Sequence, residues 1–388
     1  MPTRLAERNS EISSFYVMEL LRRAKHLEAQ GKDIIHMEIG EPDFPTPPTI
    51  VDAGIKHIQT GAVKYTPAGG LPELRKKIAT FYQRRYGVTI DEQRIFVTPG
   101  ASGAFLLAFG ISLNPQEELL MADPCYPCNS NFATLFGSKT KTIAVNADTH
   151  YQLTAQLIKE HWTPATKGAL IASPSNPTGT LITPEELQQA IDTVNALGGC
   201  FYSDEIYHGL VYDTQATTAL TFSDNVFVIN SFSKYFGMTG WRIGWLIVPE
   251  EFIEATEKLA QNIYIATSTQ AQYAALAAFD ENTLAELENR RVEFAVRRDF
   301  LYDNLLRLGF EIPIKPAGAF YIYANARKFT DDSYQFALDF LEAEGVAITP
   351  GKDFGNNDAH HMLRFSYTTS IAKMTIAIQR LDRFINKG

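Results

Sequence analysis

The sequence predicts an α/β fold: a three-layer sandwich in which helices cover both faces of a mainly parallel β-sheet, with a smaller α+β domain beside it. Three observations support this prediction. The length of 388 residues exceeds the roughly 250 to 300 at which a single core stops growing, so a second domain is expected. From about Arg94, short apolar runs alternate with segments of helical periodicity, as in repeated βαβ units. After residue 310 the chain instead mixes short strands with helices.

The boundaries of the elements follow from the apolar runs and the signals between them. The sequence predicts sheet strands at residues 95–97, 119–122, 169–172, 200–203, 226–230 and 243–248, with helices at 102–112, from Pro127 onward and at 184–197. The last of these helices has the clearest start, because Thr183 can cap it, Pro184 suits its first turn and Glu186 completes a capping box. In such sheets, ligand sites lie in the loops beyond the carboxyl ends of the strands.

A long helix is expected to bridge the two domains. Helical periodicity runs through residues 281–308, and Gly309 supplies a C-terminal stop. Helices near 15–29, near 334–344 and from Ile371, with short strands among them, predict the smaller domain. We therefore expect a large domain at 45–290 and a small domain formed by 1–44 plus 291–388.

Charge and composition narrow the class of protein. The formal net charge of −9 argues against a partner that is nucleic acid or an anionic membrane surface, although a local basic pocket could hold a small anion. No apolar signal core follows Met1, and the longest apolar stretch, 104–113, is about half of a membrane span. The only cysteines are Cys125, Cys128 and Cys200, so we expect a reduced, cytoplasmic protein without a disulfide framework.

The most specific segment follows the predicted strand 226–230. It contains Ser231, Lys234 and, eight positions later, Arg242. A lysine at the mouth of a strand could be a solvated surface residue. In a buried site beside Arg242, however, its pKa would be lowered, so that the partly neutral amine can attack an aldehyde. The same arrangement allows Arg242 to pair with a phosphate.

Two other strand ends carry polar side chains. Asp204 follows strand 200–203 and could cap a helix or keep the ring nitrogen of a cofactor protonated. The turn at 172–179 has two X-Pro bonds, which allow a cis peptide. The prolines and the glycine could serve only to form a rigid turn. Alternatively, the turn could place the Asn176 amide against a cofactor.

Further segments suggest anion sites. The small residues around Ser102 open a helix whose N-terminal N–H groups could receive a phosphate, although dinucleotide and P-loop spacings are absent. Arg364 lies in an apolar, strand-like run and needs an anionic partner, either an internal carboxylate or a substrate carboxylate bound by both arms of the guanidinium.

The segment Cys125-Tyr126-Pro127-Cys128 has the C-x-x-C spacing of a redox dithiol. It lies in the middle of a large α/β chain, and no second cysteine pair exists to complete a zinc site. We therefore expect neither redox nor metal chemistry here, and consider Tyr126 better suited to stack on a cofactor ring.

In this order and spacing, the segments resemble the class I/II aminotransferases of pyridoxal-phosphate fold type I, of the aspartate aminotransferase-like kind, over nearly the whole chain. The resemblance implies that pyridoxal 5'-phosphate is bound in the large domain as a Schiff base on Lys234, with Asp204 and Tyr207 as further catalytic residues. The implied cofactor contacts are Ala101, Ser102, Tyr126, Asn176, Asp204, Tyr207, Ser231, Lys234, Arg242 and Tyr65, and the implied substrate contacts are Gly40, Asn176 and Arg364. In the family, the tyrosine that matches Tyr65 enters the neighbouring subunit's site, which implies a homodimer.

The implied activity moves the amino group of an L-amino acid to a 2-oxo acid by a ping-pong mechanism, with Lys234 as general base and acid. Related bacterial aspartate aminotransferases carry a lysine on the helix after the phosphate turn, where an ungapped match places Gly110. We therefore expect a neutral, apolar or aromatic donor, with Phe15, Tyr16 and Tyr264 as pocket residues. Alternatives are a carbon–sulfur lyase or an aminocyclopropane-carboxylate synthase-like enzyme on the same fold and, more remotely, a non-catalytic cofactor-binding regulator.

Overall fold

Strands and helices alternate along most of the chain in the computed structural model, which describes residues 4–12 and 15–386. The strands are β1 (Ile35–His36), β2 (Ile95–Thr98), β3 (Glu118–Asp123), β4 (Lys139–Ala144), β5 (Thr166–Ala172), β6 (Cys200–Asp204), β7 (Phe227–Ser231), β8 (Gly244–Ile247), β9 (Tyr321–Asn325), β10 (Val346–Ala347), β11 (Thr349–Pro350) and β12 (Met362–Ser366). The α-helices are α1 (Tyr16–Ala29), α2 (Pro48–Gln59), α3 (Pro72–Tyr86), α4 (Gly100–Ser112), α5 (Cys128–Leu135), α6 (Ala155–His161), α7 (Pro184–Ala196), α8 (Ile253–Ile263), α9 (Thr269–Leu276), α10 (Glu281–Leu308), α11 (Ser333–Glu344) and α12 (Ile371–Ile385).

The main sheet has seven strands in the order β2-β8-β7-β6-β5-β3-β4. Strand β8 runs antiparallel to both of its neighbours, and the remaining neighbouring pairs are parallel. This arrangement confirms the predicted mainly parallel sheet. The sequence did not predict β4, because this strand lies at the sheet edge and consists mostly of lysine and threonine.

Separate apolar cores cover the two faces of the sheet. Along β7, Val228 packs in the core that contains buried residues of α3, α7 and α9, whereas Phe227 and Ile229 pack in the core that contains those of α4 and α8. Successive side chains of a strand point to opposite faces. This alternation therefore produces the predicted sandwich of helix, sheet and helix.

The helix boundaries follow the signals in the sequence. The Thr183 hydroxyl accepts a hydrogen bond from the Glu186 backbone N–H at 3.2 Å, and Pro184 is the first residue of α7. Helix α10 ends at Gly309, whose φ of 97° is readily adopted only by glycine. Within the two described ranges, no helix is both long enough and apolar enough to cross a membrane.

The smaller sheets join distant parts of the chain. Strands β11, β12 and β9 form an antiparallel sheet in that order, and β1 pairs in parallel with β10. The pairing of β1 with β10 brings the N-terminal segment to the C-terminal one. The division into 45–290 and 1–44 plus 291–388 stays a prediction.

Candidate active site

The carboxyl ends of the parallel strands β5, β6 and β7 meet at one edge of the sheet, where the loops after them line a cavity of about 340 Å³. Ligands of α/β sheets bind at such an edge. The predicted site residues found in the lining are Gly40, Ala101, Ser102, Tyr126, Asn176, Asp204, Tyr207, Ser231, Lys234, Arg242 and Arg364.

Lys234 follows β7, and its Nζ donates a hydrogen bond to the Gly40 carbonyl at 2.6 Å. Burial lowers the pKa of Lys234 from 10.5 to about 8. The Glu41 carboxylate opposes this shift of the pKa, and the cationic Arg364 adds to it. The amine is therefore partly neutral near physiological pH, as a nucleophile or proton acceptor requires.

Asp204 is the last residue of β6 and is almost fully buried. Its Oδ1 accepts the Ile206 N–H at 3.2 Å. Burial raises the pKa of Asp204 to about 7, while that N–H and the charge of Lys234 act in the opposite direction. A bound cation would stabilise the charged form of a carboxyl group whose pKa is raised by burial.

Arg242 lies beside the first turn of α4. A Cβ on Gly100, which has φ +70°, would lie 2.6 Å from Arg242 Nη2. Arg242 Nη1 donates to the Thr239 carbonyl at 3.1 Å, and no carboxylate in the described part of the chain forms an ion pair with this guanidinium. The N–H groups in the first turn of α4, including those of Ala101 and Ser102, have no partners within the helix. Together these donors form a cradle for an anion.

Arg364 is a buried cation on β12 that also lines the cavity. Its Nη1 donates to Asn176 Oδ1 at 2.9 Å, and its Nη2 donates to Thr349 Oγ1 at 3.2 Å. The Tyr321 ring centroid lies 4.2 Å from the guanidinium carbon. Nε has no hydrogen-bond partner among the described residues, and no described carboxylate forms an ion pair with the group. The internal salt bridge considered from the sequence is therefore not present in this part of the chain.

Tyr207 and Tyr321 are neighbours in the lining of the cavity. Their hydroxyl groups are 2.9 Å apart and hydrogen-bonded. A Cβ on Gly40 would lie 1.9 Å from the Tyr321 hydroxyl. Only glycine at position 40 lets the backbone approach Tyr321 this closely.

Comparison with known proteins identifies the family. The family model for class I and II aminotransferases matches residues 32–381. This chain belongs to that family. The (5-formylfuran-3-yl)methyl phosphate transaminase of Methanocaldococcus jannaschii is 38% identical over 386 residues, which cover 99% of this chain and 100% of that protein. The valine–pyruvate aminotransferase of Mycobacterium tuberculosis is 36% identical over 376 residues, which cover 96% and 97%. A crystal structure of an aminotransferase from Mycobacterium tuberculosis superimposes with a TM-score of 0.96 at 36% identity and covers 100% of both chains.

This aminotransferase uses pyridoxal phosphate and transfers the amino group of an amino acid to a 2-oxo acid, on the fold type I architecture. The cavity contains the groups that such a cofactor needs. The first turn of α4 and Arg242 form the anion cradle, and Asp204 is a buried carboxyl without an ion pair in the described residues. Arg364 lies in the same lining and has no carboxylate partner among the described residues.

Some expected pocket residues of the aminotransferase lie outside the cavity lining. Phe15 lines the cavity, but the Tyr16 ring points outward and lies 5.0 Å from the Tyr334 ring. Tyr264 packs against the core around α4 and α8 rather than lining the cavity. Tyr65 is exposed on the surface, away from its own chain's cavity.

Gly110 also lies outside the lining. A Cβ there would meet Leu259 Cδ2 at 2.8 Å and the Phe136 ring at 3.0 Å. Position 110 therefore faces α8 and α5, whereas Phe105 of the same helix lines the cavity. The ungapped match did not take the rotation of the helix into account, so the residue at position 110 gives no information about the donor.

Several lining residues of the aminotransferase were not singled out from the sequence. Tyr321 begins β9, and nothing in the sequence around it indicates a role for its hydroxyl. Asp353 and Phe354 follow the short strand β11 in Gly351-Lys-Asp-Phe-Gly355, a polar turn that could have marked a site. The remaining lining residues not singled out from the sequence are Val17, Met18, Leu21, Glu38, Ile39, Phe105, Phe132, Ala172, Pro174, Ile206, Ser233 and Thr239.

The C-x-x-C cysteines of the aminotransferase lie beside Tyr126. The Cys128 thiol donates to the Tyr126 hydroxyl at 3.3 Å. Burial raises the pKa of Cys125 to about 12 and also raises the pKa of Cys128. Both groups are thiols at neutral pH, which does not favour thiolate chemistry.

Proposed function

We propose that the amino donor is a neutral amino acid with an apolar or aromatic side chain. The observation that carries this proposal is the apolar wall of the cavity. This apolar wall consists of Phe15, Val17, Met18, Leu21, Phe105 and Phe132. The Phe105 and Phe132 rings are stacked with their centroids 5.7 Å apart. A donor side chain that meets this surface gains by burying apolar area.

The charged groups of the lining support the same donor class. Glu38 is hydrogen-bonded to His36 at 2.7 Å, and the Asp353 carboxylate is bound to two backbone N–H groups of α1. The cations of the described lining are Lys234, Arg242 and Arg364. Since each has a role at the cofactor or at the α-carboxylate, none is left for a second carboxylate, and an unpaired charge against an apolar wall is costly.

We propose that Lys234 carries the cofactor. When bound, pyridoxal phosphate supplies a reactive aldehyde and a ring that accepts electrons from the substrate. Lys234 Nζ, with its pKa lowered to about 8, would hold the aldehyde as a Schiff base with release of water. Once the substrate amine has displaced it, the free lysine amine would take the proton from the substrate Cα. Arg364 orients the substrate through its α-carboxylate, with Gly40 beside it.

Other residues hold the cofactor in this proposal. Asp204 keeps the ring nitrogen protonated, and Asn176 and Tyr207 donate to the ring oxygen. Tyr126 stacks on the ring. The phosphate contacts are the N–H groups of Ala101 and Ser102, the Ser231 hydroxyl, Arg242 and the partner subunit's Tyr65.

We also propose a homodimer. Tyr65 is 82% exposed, and the neighbouring Lys64 carbonyl accepts the Thr269 hydroxyl at 2.5 Å. Further exposed apolar residues are Ile58 on α2, the helix before this loop, and Ile265 between α8 and α9. Exposed apolar surface of this kind is common where subunits associate.

A cytoplasmic location stays part of the proposal. The free thiols of Cys125, Cys128 and Cys200 are typical of a protein kept in a reducing compartment.

A panel of amino donors tests the donor class. Leucine, phenylalanine, alanine, aspartate and glutamate are each assayed with pyruvate and with 2-oxoglutarate. We expect kcat/KM for leucine or phenylalanine to exceed that for aspartate by about tenfold or more, since an unpaired buried charge costs more than 1 kcal/mol. Strong selectivity for aspartate or glutamate contradicts the proposal.

Lys234→Ala tests the attachment of the cofactor. The variant should lose transamination and the visible absorption of the holoenzyme, because no other amine in the described lining can bind the aldehyde. Lys258→Ala, on the exposed side of α8, is the matched control and should keep both. An unchanged spectrum and turnover in Lys234→Ala would reject the assignment.

Mixing two inactive variants tests the shared site. In a hybrid of Lys234→Ala and Tyr65→Ala subunits, one site has both native residues. Random exchange of subunits should restore about a quarter of the native sites of a twofold dimer. A monomer by light scattering, or no recovery of activity in the mixture, contradicts the proposed dimer.

A further inference from the structure

A carboxylate from the C-terminal part of the chain holds the start of helix α1. Asp353 Oδ1 accepts the Tyr16 N–H and Oδ2 accepts the Val17 N–H, each at 2.7 Å. Phe15, at the N-cap position, supplies no side-chain cap. The first N–H groups of a helix lack intrahelical partners and carry partial positive charge. A buried carboxylate bound to two of them therefore fixes both the position and the direction of this helix end.

Helix α1 has two apolar faces, and one of them lines the cavity. Leu20, Ala24 and Leu27 are buried against the rest of the protein. Val17 and Leu21, one helical turn apart, belong to the apolar wall. Because Asp353 binds the first turn of α1, its carboxylate fixes the part of the apolar wall that α1 supplies.

The residue after Asp353 contacts the group proposed to bind the α-carboxylate. The Phe354 ring centroid lies 4.8 Å from the Arg364 guanidinium carbon. The Phe354 carbonyl accepts the Cys125 N–H at 2.8 Å, which anchors this turn to the segment after β3. Two consecutive residues therefore hold the start of α1 and pack on Arg364.

We propose that Asp353 is a positioning residue that sets the preference for long apolar donors, by holding α1 so that Val17, Met18 and Leu21 meet the donor side chain. This inference rests on the proposed donor class. A long side chain such as that of leucine or phenylalanine reaches the apolar wall, whereas the methyl group of alanine does not. The effect of Asp353 is therefore expected to depend on the length of the donor.

Asp353→Asn tests the proposal, because it keeps the size of the side chain but removes the charge and one acceptor. We expect KM for leucine and phenylalanine to rise about tenfold, as for the loss of a hydrogen bond to a charged group. KM for alanine and kcat for all donors should change less than about twofold, since Arg364 and Lys234 are untouched. Hydrogen exchange of the backbone at 16–21 should become faster.

Asp91→Asn is the matched control. Asp91 caps the short 3-10 helix Glu92–Arg94 by accepting the Gln93 N–H at 2.9 Å, and it does not line the cavity. Its loss should leave the ratio of KM values for leucine and alanine unchanged and should leave exchange at 16–21 as in the native protein. A similar change of this ratio in both variants would overturn the proposal, because it would show a general effect of losing a helix cap.

Met18→Lys supplies an independent measurement if Asp353→Asn folds poorly. A cation on the apolar wall should lower kcat/KM for leucine and raise it for glutamate by about tenfold. No change in the ratio of kcat/KM for leucine and glutamate means that α1 does not meet the donor, and this overturns the inference.

Failure of the proposed donor class appears separately, as a native preference for aspartate or glutamate. Unchanged exchange at 16–21 in a folded Asp353→Asn also overturns the inference, whichever donor is preferred.

Discussion

Arg364 donates from Nη1 to the side-chain oxygen of Asn176 at 2.9 Å. This hydrogen bond joins strand β12 to the turn after β5, between parts of the chain that are 188 positions apart. The turn contains the cis peptide bonds Ser173–Pro174 and Asn176–Pro177, as the sequence allowed. With Nη1 and Nη2 both bound to protein atoms, the orientation of the guanidinium is fixed before a substrate arrives.

Arg364→Lys should weaken the binding of every amino donor. A lysine ammonium lacks the planar fork with which the guanidinium can hold Asn176 and a carboxylate in fixed directions. Loss of one charge-assisted hydrogen bond costs about 1.5–3 kcal/mol, so kcat/KM should fall on the order of 100-fold, mostly through KM. Steady-state kinetics with two donors measures this. Arg327→Lys, in an exposed ion pair with Asp358, is the control, and an unchanged KM in Arg364→Lys contradicts the assigned role.

Gly40→Ala should disturb both the site and the fold. The added Cβ would lie 1.9 Å from the Tyr321 hydroxyl, so Tyr321 has to move and its hydrogen bond with Tyr207 is lost. Overpacking of this kind costs about 1–3 kcal/mol of the free energy of unfolding. We expect this loss in urea titrations, together with a fall in kcat/KM. Gly240→Ala, where nothing lies within 4 Å of the added Cβ, should show neither effect, and native behaviour of Gly40→Ala would contradict the described contact.

The main sheet and much of the site could be predicted because their signals are local in sequence. Lys234 and Asp204 each follow a continuous apolar strand, and parallel strands bring such ends together. Tyr321 and Asp353 could not be assigned in this way. Their roles depend on contacts with Gly40, Tyr207 and α1, which only the packing of the two ends of the chain creates.

Of the apolar wall, only Phe15 could be predicted from the sequence. Val17, Met18 and Leu21 look like one side of an amphipathic helix, and helical periodicity does not distinguish a face that meets the core from one that meets a cavity. The error at Gly110 has the same origin, because position in sequence was used without the rotation of α4. The lining residues therefore give the predicted donor class a support that does not depend on position 110.

Glu41→Gln should lower the pH at which the cofactor-free protein binds pyridoxal phosphate rapidly. The Glu41 carboxylate raises the pKa of Lys234, which burial lowers to about 8. Removing this charge favours the neutral amine of Lys234. The pH at which the rate of pyridoxal phosphate binding is half-maximal should therefore move below about 8. Stopped-flow absorbance measures the rate. A midpoint near 10.5 in the native protein, the ordinary pKa of lysine, would show that the amine is not in the environment described.

His36→Gln should destabilise the protein at neutral pH but not at high pH. The hydrogen bond to Glu38, opposed by burial and supported by Glu28, raises the pKa of His36 from 6.5 to about 9. Because the pKa is higher in the folded state, the stabilisation is fully present below about pH 6.5 and is lost as the pH rises through about 9.

The His36 side chain is 30% exposed, and solvent screening therefore limits the expected loss to about 1 kcal/mol of the free energy of unfolding. Urea titrations at about pH 6 and about pH 9.5 measure the difference between native protein and variant at each pH. His26→Gln, on the exposed side of α1, is the control and should show no such dependence. A destabilisation by His36→Gln that is equal at both pH values would mean that the charge of His36 does not contribute, and that its effect comes from packing beside Glu38.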